Sequence, residues 1–162
     1  MRMRHPKPSS EDADFMREAI AEAALAGSQE EVPVGAIVVL DGKIVGRGHN
    51  QPIASKDPTA HAEILALREA ARTVGAYRLP GAILYVTLEP CVMCVGAAVH
   101  ARIATIQYGA RDEKAGALGS VYDIGRDGRL NHRIEVMGGL MEDECASMLR
   151  DFFRQHRARG GE

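Results

Sequence analysis

Two short motifs constrain what this chain can fold into: His61-Ala62-Glu63 and Pro90-Cys91-Val92-Met93-Cys94, with Cys91 thirty positions after His61. Each follows a proline, Pro58 or Pro90. Proline suits the first position of a helix, because the N–H it lacks would have no partner there. Both motifs are therefore expected in first helical turns, with backbone N–H groups and the positive end of the dipole facing a common centre. Such an environment favours thiolates, so the fold must bring two helix starts together.

Two thiolates and one imidazole make three ligands for a borderline-soft metal. A structural zinc site closes with a fourth protein ligand, whereas a catalytic one leaves that position to water. The third cysteine, Cys145, falls in the apolar stripe of the last helix and reads as a small core residue. His5, His49, His100, His132 and His156 show no ligand spacing to the pair. The count thus points to an open site held by His61, Cys91 and Cys94. Glu63 reaches the same centre only if His61 sits at the very start of its helix, since residues two apart on a regular helix diverge. Neither motif is specific alone, and Cys-x-x-Cys also occurs in redox proteins. In this order and spacing the two form a zinc-deaminase signature.

The rest of the chain alternates helices and strands. Phe15, Met16, Ala19, Ile20, Ala23 and Ala24 recur at helical spacing after Ser9 and Ser10, up to Gly27. Asp41-Gly42 joins the apolar run 34–40 to 43–46, a two-residue hairpin signal. After a loop from Asn50 to Pro58, a helix carries Ile64, Leu67, Ala71 and Val74 as one stripe. Strands are expected at 83–88, 103–108 and 134–137, with an apolar helix from Pro90 between the first two. A Gly-rich stretch from Gly109 to Arg133 lacks periodicity; loops so long in compact domains are usually functional or disordered. Cys145, Met148, Leu149, Phe152 and Phe153 mark the last helix, and at least one of the two phenylalanines is expected in the core. This order implies an α/β fold with helices on both faces of a mixed sheet.

The 162 residues fit a single domain, with residues 1–10 and 159–162 expected to be flexible. No apolar run is long enough to span a membrane, and no secretory signal pattern follows Arg2, Arg4 and Lys7, so a cytoplasmic protein is expected. With a net charge of −2, nucleic acid would have to be held by local patches rather than by the molecule as a whole.

Beyond the signature, Glu31-Val-Pro-Val-Gly-Ala36, Asn50, Asp57-Pro-Thr-Ala-His-Ala-Glu-Ile64 and Leu88-Glu-Pro-Cys-Val-Met-Cys94 resemble the bacterial TadA-type tRNA adenosine deaminases. So do Gly109-Ala-Arg-Asp112, Lys114, Gly116-Ala117, Gly119-Ser120, Asn131-His132 and Asp151-Phe-Phe-Arg154. The metal motifs are common to all cytidine-deaminase-like enzymes; the loop after Tyr108 and the tail single out this group. The resemblance implies a three-layer α/β/α fold with a five-stranded mixed sheet and one zinc per subunit. It also implies a homodimer acting on the anticodon stem-loop of transfer RNA. The wobble adenosine would be hydrolysed to inosine, with Glu63 carrying a proton from water to N1 of the base and then to the leaving amine. Asn50, Val34, Leu88 and Ala62 would line the base pocket. Arg111, Asp112, Lys114, Arg150, Arg154 and Arg157 would contact RNA.

Three other readings share parts of this pattern. A deaminase of free bases or nucleosides such as guanine or cytosine would use the same metal residues. A zinc-stabilised binding module would need a fourth protein ligand, and a redox protein would use Cys91 and Cys94 as a dithiol.

Overall fold

The computed structural model describes residues 8–160, with side chains through Ala158. Segments 1–7 and 161–162, which include Arg2, Arg4, His5 and Lys7, lie outside the described residues. Helix α1 (Ser10–Ser28) begins at a reciprocal capping box. The Ser9 hydroxyl accepts from the Asp12 N–H at 3.1 Å and the Asp12 carboxylate accepts from the Ser9 N–H at 2.9 Å. Strands β1 (Gly35–Leu40) and β2 (Lys43–His49) form the hairpin, with Asp41 and Gly42 at φ 51° and 75° as its turn demands. A short α2 (Pro52–Ser55) and α3 (Ala62–Val74) follow. Then come β3 (Ile83–Leu88), α4 (Val92–His100), β4 (Thr105–Ala110), β5 (Glu135–Gly138) and α5 (Glu142–Gly160).

The sheet runs β2-β1-β3-β4-β5, antiparallel across its first three strands and parallel from β3 to β5. Alternation along β1 separates two cores. Ala36 and Val38 face a cluster with Ala62, Ala66 and Ala70 of α3 and Val95, Ala98 and Val99 of α4. Ile37 and Val39 face the opposite cluster, with Met16 and Ala19 of α1 and Cys145 of α5. Helices thus cover both faces of a five-stranded mixed sheet, as the sequence implies. Among the described residues, no helix is long and apolar enough to cross a membrane.

Several local expectations are corrected. Pro58 and Pro90 do not open helices: α3 starts at Ala62 and α4 at Val92. Pro58 sits instead in a turn closed by the Asp57 carboxylate, which accepts from the Thr59 N–H at 2.8 Å. The proline that does occupy a first helical turn is Pro52, in a helix the loop reading of 50–58 lacks. Strand β4 begins two residues later than its apolar run, because Ile103 ends the turn after α4, donating its N–H to Ala98 at 3.1 Å. In α3 the buried face is Ala62-Ala66-Ala70 with Leu67, while Val74 is exposed. Gly46 and Gly48 on β2 explain this: a Cβ on either would collide with α3 backbone, so only a small-residue helix face fits so close.

Candidate active site

His61 and Cys91 are the N-cap residues of α3 and α4, both in extended backbone, and neither side chain makes a capping hydrogen bond. Each cap carbonyl starts its helix, accepting from the Leu65 N–H at 3.1 Å and the Val95 N–H at 3.0 Å. Freed from capping, the imidazole and thiol turn toward one another, and Cys94 in the first turn of α4 joins them. His61 Nδ1 lies 3.6 Å from Cys91 Sγ and 3.5 Å from Cys94 Sγ, and the three donor atoms fall within 4.8 Å of one another.

That spacing fits zinc. Ligand distances of about 2.3 Å to sulfur and 2.0 Å to nitrogen, at tetrahedral angles, place S and N about 3.6 Å apart. Among the described residues no fourth His, Cys, Asp or Glu joins the group, which leaves one coordination position to a small molecule. The closed, purely structural zinc site is therefore not what these residues build. Hydrogen bonds from Cys94 and His61 hold the Cys91 thiol down to about 4, so the first thiolate forms there. The Cys94 thiol is pushed up by its bond to Cys91 and by burial. The hydrogen bond to Cys91 raises the His61 imidazole.

Glu63 follows one residue into α3, 4% exposed, and burial pushes its carboxyl above the usual range. A pocket of about 170 Å³ opens over this floor, lined by His61, Glu63 and Cys91 with Val34, Asn50, Leu88, Glu89, Asp112 and others. It is small beside the roughly 300–1,000 Å³ clefts that hold drug-sized ligands, a scale suited to one base. Asn50 accepts at Oδ1 from the Ala62 N–H at 2.8 Å, which fixes the start of α3 and leaves its NH₂ as the end able to donate to a ligand. Ala62 itself, expected on the pocket wall, packs its side chain into the core beneath.

The expected RNA contacts separate. Lys114 lines, together with Arg150, Phe153, Arg154 and Arg157, a groove of about 660 Å³ beside α5. Asp112 lies at the pocket, and its carboxylate accepts from the Lys114 and Ala115 N–H groups. Arg111 is exposed and lines neither. Phe152 is half-buried, stacked on His156 at 4.4 Å, whereas Phe153 is 46% exposed in the groove. Of the stripe expected on α5, only Cys145 is fully buried, its thiol pushed up to about 12 by burial. Among the described residues the other histidines stay away from the metal group: His49 meets Glu22 at 3.1 Å and His132 meets the Ile103 carbonyl at 2.8 Å.

Sequence reasoning did not single out Glu89. It is 2% exposed and lines the pocket one residue before Pro90. Its signals were a charged residue set between an apolar run and a proline, and its place in the resembling segment from Leu88 to Cys94.

Comparison with known proteins agrees with this geometry. Residues 9–110 match the family model of the cytidine and deoxycytidylate deaminase zinc-binding region. A tRNA-specific adenosine deaminase of Bacillus subtilis (strain 168) is 45% identical over 148 residues, covering 91% of this chain and 92% of its own. A solved structure from studies of A-to-I editing by tRNA:A34 deaminases superposes with a TM-score of 0.81 at 46% identity, covering 84% of this chain and 99% of that one. A guanine deaminase of Bacillus subtilis reaches 0.58 at 41% identity, over 60% and 63% of the two chains. Zinc is accordingly the cofactor of the site, and the chain belongs to the cytidine and deoxycytidylate deaminase family, among the tRNA-specific adenosine deaminases.

Proposed function

We propose that this chain hydrolyses adenosine to inosine at the wobble position of a transfer RNA anticodon and releases ammonia. One observation carries the reading: a buried carboxyl, Glu63, stands beside a three-ligand metal centre on the floor of a base-sized pocket. His61, Cys91 and Cys94 would hold one zinc per chain, which would supply the Lewis acidity that makes water a nucleophile near neutral pH. Glu63, its proton affinity raised by burial, would take a proton from the attacking water and hand it to N1 as the water oxygen bonds to C6, then carry the remaining hydroxyl proton to the amine, so that the C6–N bond breaks and ammonia leaves. The Asn50 NH₂ orients the base, while Val34 and Leu88 exclude water from its faces.

An anticodon loop is the fitting polymer, because its bases unstack cheaply into a pocket this small. The groove of Lys114, Arg150, Arg154 and Arg157 supplies the cations a phosphate backbone needs, although the chain's net charge is −2. The match to an A34 deaminase over 84% of the chain supports RNA over a free base. We read the working form as a cytoplasmic homodimer. Val92, Val121 and Tyr122 are 47%, 46% and 58% exposed, apolar surface that pairing would cover.

The deciding experiment compares zinc-loaded protein on an anticodon stem-loop bearing the wobble adenosine, on free adenosine, on guanine and on cytosine. Inosine should form in the stem-loop with kcat/KM at least a hundredfold above any free base. Faster turnover of guanine or cytosine than of the RNA would overturn the reading.

A further inference from the structure

We propose that Glu89 is a positioning residue for the deamination, fixing the loop after β4 as one wall of the base pocket. The proposal rests on the reading that the pocket takes a base. The Glu89 side chain, on the segment joining β3 to the metal ligand Cys91, spends both carboxylate oxygens on that loop. Oε1 accepts from the Asp112 N–H at 3.2 Å and from the Ser120 hydroxyl. Oε2 accepts from the Leu118 N–H at 3.0 Å and the Ser120 N–H at 3.1 Å.

Those donors lie 23 to 31 residues away in sequence, so one carboxylate gathers most of the turn from 112 to 120. A second tie runs beside it, from the Ala117 N–H to the Pro90 carbonyl at 2.8 Å. Asp112, held by its own N–H, then uses its carboxylate to order Lys114 and Ala115. Asp112 and Ala115 line the pocket with Glu63, and Lys114 reaches into the cationic groove. Glu89 thus links the metal-bearing segment to the wall that would face the base and to the groove that would face the phosphates.

Gly116 belongs to the same device. A Cβ there would collide with Glu89 Oε2, so the loop closes over the carboxylate only because that position lacks a side chain. With two donors on each carboxylate oxygen and 2% exposure, the Glu89 carboxylate is committed to the loop and acts through it.

The test uses Glu89→Gln, Gly116→Ala and the double variant in the full chain. Glutamine replaces one accepting oxygen by an NH₂ group: at the Oε2 end it faces two backbone N–H donors and both bonds disappear, while at the Oε1 end the Asp112 bond disappears and the Ser120 hydroxyl must turn round to accept. Amide exchange in residues 112–120 should quicken at least tenfold in Glu89→Gln, while α3 and α4 keep wild-type protection. That readout needs no substrate, so it holds even if the wild-type protein prefers a free base. On stem-loop RNA, kcat/KM per bound zinc should fall about a hundredfold, as misplacement by an ångström commonly costs. The loss should be shared between a KM raised about tenfold and a kcat lowered about tenfold. The double variant should be no worse than the worse single, because both changes disturb one contact.

Wild-type exchange in the loop would overturn the proposal. An unchanged KM, with kcat falling only in step with zinc content, would overturn it too, as would additive losses in the double variant.

Discussion

His61 and Cys91 occupy N-caps without capping, and that choice makes the metal centre. Serine or aspartate there would turn its side chain back onto the helix amides; imidazole and thiol turn outward instead. The centre is legible in sequence because donor type and spacing are local properties, written within residues 61–63 and 90–94. Glu89 is not legible in that way, since three of its four hydrogen bonds come from backbone amides of a distant loop that any sequence would carry. The proposed ligands and the proposed proton carrier part under substitution. Cys91→Ser or Cys94→Ser should release zinc and lower the melting temperature, because metal binding is linked to folding; stoichiometric zinc in the double variant would refute the assignment. Glu63→Gln keeps shape but cannot take a proton, so zinc content should stay near one per chain while turnover drops by about 10²–10⁴ or more. Loss of zinc in Glu63→Gln would instead make Glu63 a ligand.

Among the elements, α1 shows how much of the assembly the periodic pattern leaves out. Its apolar spacing foretells a helix packed on the sheet, and Met16, Ala19 and Ala23 are indeed buried. What fixes the helix end is Asp12, whose carboxylate accepts from the Tyr85 hydroxyl at 2.6 Å and from Gln107 Nε2 at 2.9 Å. These partners sit on β3 and β4, and no spacing rule connects them to residue 12. Burial alone would raise the Asp12 carboxyl, but the hydrogen bonds from Tyr85, Ser9 and Gln107 together hold it below the usual range. A carboxyl depressed in the folded state contributes stability above its unfolded value, about 3.9, and loses that contribution as pH falls through the folded value. Asp12→Asn should therefore cost about 1 kcal/mol at pH 7, the scale of a partly exposed charge-assisted bond. The gap from wild type should narrow below about pH 4. Urea denaturation at pH 7 and pH 3 measures both; a gap of equal size at the two values would rule out the charged tether.

On the scale of the whole molecule, α5 divides into a part that belongs to the core and a part that leaves it. Cys145 is buried against the sheet, yet Arg150, Phe153, Arg154 and Arg157 stand in solvent beside Lys114. The apolar stripe reads as continuous in sequence, because periodicity cannot tell where a helix outruns the sheet beneath it. Of the arginines, Arg154 meets Asp151 at 4.0 Å and Arg150 meets Ser147 at 3.2 Å; exposed pairs of this kind contribute little to stability. Their charge is therefore available to a phosphate backbone, and reversing it should leave the fold intact. Changing Arg150, Arg154 and Arg157 together to Glu should keep zinc content and melting temperature near wild type while weakening stem-loop binding at least tenfold. The salt dependence should flatten as well, by somewhat less than one unit of slope for each phosphate left without its cation, since fewer counterions are released on binding. Attack on a free base, which never reaches the groove, should be unchanged in the same variant. Wild-type affinity with a wild-type salt slope would mean that α5 is solvated helix and that RNA is gripped elsewhere.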